Sequence, residues 1–186
     1  MSSSTDARPF RVTVAGALGH GRQEVLEAVC RRFNAEPLAH YVGELRVWSA
    51  EIAAPNEAGD RRTLLMRCLD DACPYVAGQD LLVRQSDAVI FVFDVRHEHL
   101  EEGWRSLQRV AESAQRGGYD LRSKPLVLQY HRCDGHPGFQ PSRMDGWLGL
   151  PPGEEVARVV TSASRPHGEG AVFNALWRQA GAGRLT

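Results

Sequence analysis

Residues 16–23 of this 186-residue chain read Gly-Ala-Leu-Gly-His-Gly-Arg-Gln, with Gly16 and Gly21 at the ends of a tight turn and Gly19 inside it. That spacing belongs to phosphate-binding loops. There, backbone N–H groups and a helix N-terminus cradle phosphate oxygens, a Lys reaches the terminal phosphates, and a Ser or Thr holds Mg²⁺. Here the last two positions are Arg22 and Gln23. Arg22 keeps the positive charge, but its planar head does not occupy the compact volume of an ammonium. Gln23 replaces a small hydroxyl with a longer neutral amide that would crowd the metal position. The loop reads either as a weakened phosphate site or as a glycine turn with no ligand.

A second set of chemistry-bearing residues is His97-Glu98-His99 together with His131, Cys133 and His136. These are ligand types for a borderline-soft cation such as Zn²⁺. Their spacing lacks the paired pattern of a structural metal site, so solvent-facing loop histidines and no metal are expected. The four cysteines, Cys30, Cys68, Cys73 and Cys133, are scattered and read as reduced thiols. Glu101 and Arg105 are spaced to pair across one helical turn on a solvated face.

The elements that must hold these residues follow from hydrophobic periodicity. Residues 10–15 make a short strand, and Val25, Leu26, Val29, Cys30 and Phe33 recur at helical spacing. Residues 45–52 alternate like a half-exposed strand, a polar turn follows, and 63–69 returns as the second arm of a hairpin. Residues 75–86 are weakly helical. Ala88 to Asp94 is a continuous apolar run ending in an acid, the mark of a strand buried on both faces. A helix from Leu100 to Ala114, a buried strand over 125–131, a strand over 156–161 and a closing helix carrying Val172, Phe173, Leu176 and Trp177 complete the pattern.

Strands alternating with helices indicate an α/β domain of three layers. About six mostly parallel strands are expected, with one antiparallel edge hairpin and helices on both faces. The domain is placed at 9–181, between a disordered lead-in at 1–8 and a tail at 182–186. Ligands bind such sheets at the carboxyl ends of the strands, which collects the 16–23 loop, Asp94, the 131–134 loop and the 161–164 loop. A net charge of −1 gives no electrostatic case for nucleic acid. The absence of an apolar N-terminal segment or of any membrane-length apolar run points to the cytoplasm.

Three stretches carry a family resemblance. Ser86-Asp-Ala-Val-Ile-Phe-Val-Phe-Asp94, Lys124-Pro-Leu-Val-Leu-Gln-Tyr130 and Thr161-Ser-Ala163 with Val172-Phe173 resemble the Ras-like small GTPases, most of all the bacterial gliding-motility (MglA-like) branch. The likeness spans roughly residues 10–180 and implies a Ras-like P-loop fold. It also implies where a nucleotide would sit. His131-Arg132-Cys133-Asp134 stands where the family has Asn-Lys-x-Asp; Asp134 matches the guanine-reading carboxylate, and Arg132 offers a stem to stack on a base. His131 cannot reproduce the Asn bridge to the phosphate loop with the same groups. Ser162 and Ala163 fall in the last base-contacting loop.

The switch regions depart further. No Thr occurs between Thr13 and Thr63 to sense Mg²⁺ and γ-phosphate, and an ungapped placement sets Asp71 and Ala72 where the family has its γ-phosphate-contacting Gly and water-orienting Gln. Gly78-Gln79 lies seven residues too far along. Asp70, Asp71 and Arg22 are candidates for an internal ion pair in place of nucleotide.

The expected function is therefore a catalytically inactive small GTPase-like protein, a pseudo-GTPase with no cofactor and no catalytic residues. It would bind other proteins, with a Roadblock-type dimer or a GTPase of the same system implied by the resemblance. Val47 and Trp48 on the sheet-edge strand, with Tyr75 and Gln79, form the candidate partner surface. The alternative is a divergent guanine-nucleotide-binding protein, holding GTP or GDP weakly or without Mg²⁺ and hydrolysing little.

Overall fold

A computed structural model describes residues 8–55, 61–73, 76–135, 138–149, 156–162 and 168–182. The lead-in before residue 8, the tail beyond 182, Tyr75, His136, Ala163 and the side chain of His97 lie outside the described residues.

Seven strands form one sheet: β1 (Phe10–Gly16), β2 (Leu38–Val42), β3 (Leu45–Pro55), β4 (Arg61–Leu69), β5 (Ala88–Asp94), β6 (Leu126–His131) and β7 (Ala157–Val160), in the order β2-β3-β4-β1-β5-β6-β7. β1 pairs in parallel with β4 and β5, β5 with β6, and β6 with β7, whereas β3 runs antiparallel to both its neighbours. Among the described residues, five α-helices accompany the sheet: α1 (Arg22–Phe33), α2 (Val76–Arg84), α3 (Leu100–Arg116), α4 (Pro141–Leu148) and α5 (Gly168–Ala182).

The sheet is covered on both faces, because its central strands are apolar on both. Every residue of β5 is buried. On one side α1 and α5 bring Leu26, Val29, Phe173 and Leu176 against Val12, Val14, Ile90 and Val127. On the other, α3 and α4 bring Leu107, Val110, Met144 and Leu148 against Phe91, Phe93, Leu128 and Tyr130. The α/β class and the three layers are as the sequence indicates.

The sheet agrees with the expected mostly parallel one of about six strands, and has seven among the described residues because residues 38–42 add β2. That segment escapes pattern reading: four of its five residues are exposed, so no inward alternation marks it, and it is held by its ladder to β3. The edge position expected for Val47 and Trp48 is corrected: with β2 outside it, β3 is an interior strand. Val47 is fully buried against Leu69, Cys73 and Leu82, and Trp48 is half-buried. Trp147 is 49% exposed and leans on Trp104 with ring centroids 6.1 Å apart.

Candidate functional site

The carboxyl ends of β1, β5 and β6 gather the residues singled out by spacing. The β1–α1 turn runs from Gly16 into Arg22, the first residue of α1. Gly21 precedes that helix with φ 94°, a left-handed conformation that favours glycine. A Cβ there would also lie 2.7 Å from the His131 ring. Gly21 is therefore required twice, by its backbone and by the close approach of β6.

Arg22 does not point to solvent. Its side chain is only 2% exposed, with Nη2 2.5 Å and Nε 3.1 Å from Asp71 Oδ1 and Nη1 3.1 Å from Gln79 Oε1. Gln79 Oε1 also accepts the N–H of Gly16 at 3.0 Å. An amide oxygen of α2 thus satisfies a backbone donor of the phosphate turn and its cation together. The Arg22–Asp71 pair matches the sequence expectation. Asp70 does not join it: it accepts from Trp48 Nε1 at 2.8 Å and from the Ala72 N–H at 2.7 Å, and lies 3.4 Å from Arg46 Nε.

Gln79, expected on an outer partner surface, is therefore corrected to an interior position. It is 3% exposed, one turn before Leu82 and Val83 on the face of α2 that meets the sheet. Helical spacing from those two apolar residues was the available signal. Gly78 lets α2 come this close, because a Cβ there would meet Leu45 at 2.8 Å. Gln23 turns along its own helix, its amide donating to Glu27 Oε1 at 3.0 Å.

The β6 end is equally engaged. His131 is 6% exposed, with Nδ1 3.2 Å from Thr161 Oγ1 and Nε2 3.1 Å from Glu24 Oε2. It thereby bridges to the first turn of α1 through a carboxylate, where an Asn would reach loop backbone. Arg132, at φ 60°, donates from Nη1 to Asp94 Oδ2 at 2.7 Å and to the Gly19 carbonyl at 3.2 Å, and from Nη2 to Glu24. Its guanidinium ties three elements together. Asp134 is exposed in the short turn Cys133–Gly135, and Ser162 is half-buried after β7.

The charges here are strongly coupled. Asp94 is fully buried, which opposes ionisation, but hydrogen bonds from Arg96 and Arg132 outweigh burial and hold its carboxyl well below the usual range. Burial likewise opposes ionisation of Glu24, and the bonds from His131 and Arg132 overcome it, so its pKa is lowered. Burial alone dominates at the thiols: Cys68 is pushed up to about 12 and Cys133 to about 11.

Beside the turn lies a cavity of about 170 Å³, bordered by Gly16, Leu18, Arg22, Gln79, Glu102 and Ser106. Of the residues with ligand chemistry, His131 and Cys133 do not come together with His99. His131 faces Glu24, and the Cys133 thiol lies 3.3 Å from the Tyr130 carbonyl. His99 instead lies beside His20 and Glu102, a grouping the sequence reading did not single out. Among the described residues, no helix is long and apolar enough to cross a membrane.

No protein-family model matches the chain. Over 60 residues it is 35% identical to the mutual gliding-motility protein MglA of Myxococcus xanthus (strain DK1622), an alignment that covers 32% of this chain and 31% of that protein. The aligned stretch spans about a third of the relative's length. It supports a distant relation to that protein, in keeping with the resemblance carried by the β5, β6 and β7 segments.

Proposed function

We propose that this protein is a pseudo-GTPase, a small GTPase-like domain that neither holds nor hydrolyses GTP and acts through protein contacts. The observation that carries this reading is the occupation of the phosphate turn by the chain's own groups: Asp71 and Gln79 engage Arg22, and Gln79 also takes the Gly16 N–H. A triphosphate would have to displace a carboxylate and an amide from a buried guanidinium, and then bring its own negative charge beside Asp71. Arg132, anchored to Asp94, Glu24 and Gly19, adds a second closed latch where a base would enter.

A fixed domain of this kind offers a constant binding face instead of one timed by hydrolysis. The partner class, a Roadblock-type dimer or a GTPase of the same system, comes from the family resemblance. With Val47 and Gln79 buried, the face open to such a partner shifts outward to β2, where Leu38 is 66% and Tyr41 71% exposed.

The test is nucleotide content followed by calorimetric titration of GDP and GTP with and without Mg²⁺. The expected result is no co-purifying nucleotide and no heat up to about millimolar ligand, weaker than roughly −4 kcal/mol. Stoichiometric guanine nucleotide would overturn the proposal. It would favour the alternative of a divergent guanine-nucleotide binder, to which the exposed carboxylate of Asp134 after β6 lends support. Under that alternative, Asp134→Ala abolishes nucleotide retention.

A further inference from the structure

In the β1–α1 turn, His20 has a polar side chain that the phosphate-loop reading leaves without a role. The turn folds back through its N–H, which donates to the Ala17 carbonyl at 3.3 Å, and the side chain goes inward until it is 0% exposed. There it meets the start of α3. Its ring lies edge-on to that of His99 with centroids 5.4 Å apart, and its Cε1 sits 3.1 Å from where a Cβ on Gly103 would be. A ring nitrogen of His20, a ring nitrogen of His99 and a carboxylate oxygen of Glu102 all lie within 4.8 Å of one another.

A buried imidazole ordinarily has its polar atoms satisfied. Among the described residues, Nε2 has no hydrogen-bond partner, and Nδ1 has only a contact of 3.4 Å from the Asp94 N–H, at the long limit for such a bond. Neither nitrogen is committed to a strong bond, so the ring has a lone pair to offer at little cost. His99 immediately precedes α3 yet makes no side-chain cap to it, and Glu102 sits in the first turn of that helix.

We propose that His20, His99 and Glu102 bind a single divalent transition-metal ion of the Zn²⁺ class, with water at the remaining position. Two imidazoles and one carboxylate are a donor set that suits Zn²⁺, and imidazole disfavours Mg²⁺ and Ca²⁺. Tetrahedral ligands about 2.1 Å from Zn²⁺ stand roughly 3.4 Å apart, so the three atoms, all within 4.8 Å of one another, close by at most about 1.4 Å. The half-buried His99 and exposed Glu102 supply that movement by changing rotamer, while packing fixes His20. The amino end of α3 carries about half a positive charge, which Glu98, Glu101 and Glu102 outweigh. Of the nearby cations, Arg105 is paired with Glu101, Arg96 with Asp94 and Arg22 with Asp71, while Arg109 donates to the Arg105 carbonyl. The bound ion would fasten the β1–α1 turn to α3, independently of whether nucleotide binds.

The test is calorimetric titration of the full chain with ZnCl₂, in parallel with thermal melts. The expected result is one site of micromolar or tighter affinity, a melting temperature that rises with Zn²⁺, and no response to Mg²⁺. His99→Ala and Glu102→Gln should each weaken the site more than about tenfold, whereas His40→Ala, which alters an exposed histidine elsewhere, should not. Glu102 is exposed, so its variant retains the fold even if the His99 variant does not. No binding up to about 100 µM free Zn²⁺, or wild-type affinity in the Glu102 variant, would overturn the site.

Discussion

Removing Asp71 should harm this protein more than removing Arg22, and the two effects should not add. Arg22 is 2% exposed while Asp71 is 33% exposed, so the partners fare differently when left alone. In Asp71→Ala the guanidinium stays buried with only the Gln79 amide oxygen opposite it. Breaking a buried pair this way costs about 3–5 kcal/mol, and we expect about 3 because water reaches the pair from the Asp71 side. In Arg22→Ala the freed carboxylate turns to solvent, and the loss is about 2 kcal/mol from charge-assisted hydrogen bonds and stem packing. Once Arg22 is gone, removing Asp71 should cost little more, so the double variant also loses about 2 kcal/mol. The cycle then gives a coupling of about 3 kcal/mol, and Asp71→Ala melts roughly 6–12 °C below wild type. Urea unfolding of the four proteins measures this directly. A coupling below about 0.5 kcal/mol would mean that Asp71 and Arg22 are separately hydrated and that the phosphate turn is not internally occupied.

Other outcomes follow from the same geometry. Glu24 has a lowered pKa in the fold, so its contribution is fully present above the unfolded value near 4.5 and is lost as pH falls through the folded value. The stability gap between wild type and Glu24→Gln should therefore be constant near neutrality and close below about pH 4; a gap unchanged at pH 3 would contradict the latch. Gly21→Ala should lose more than about 2 kcal/mol, because it combines a left-handed backbone with a 2.7 Å approach to His131; a melt within one degree of wild type would contradict this. Cys68 should resist iodoacetamide at pH 8 until the chain unfolds, since burial holds its thiol at about 12. Rapid native-state labelling at that residue, read by mass spectrometry, would contradict that burial.

Much of the fold was legible because it rests on local signals. The apolar run 88–94 needs two covering layers wherever it is placed, and the helical spacing of Val25, Leu26 and Val29 fixes which face of α1 turns inward. β2 was not legible, since Leu38 to Val42 is held by backbone pairing while its side chains stay exposed. That one strand also removed Val47 and Trp48 from the sheet edge. In the site, Arg22 with Asp71 was anticipated from charge and order, whereas Gln79 and His20 were not. Their partners lie 63 and 74 positions away in sequence, and no spacing rule spans such gaps.

The sequence by itself determined the α/β class, the glycine turn between β1 and α1, and the collection of loops at one end of the sheet. Each of these depends on residues near one another in the chain, through periodicity and backbone conformation. Only the tertiary structure decided what fills that end: an amide from α2 on the phosphate turn, an arginine just after β6 across it, and two histidines and a carboxylate meeting at the start of α3. Those meetings depend on how closely helices approach the sheet, which is set by the absent side chains of Gly78 and Gly103 and by packing across the whole core.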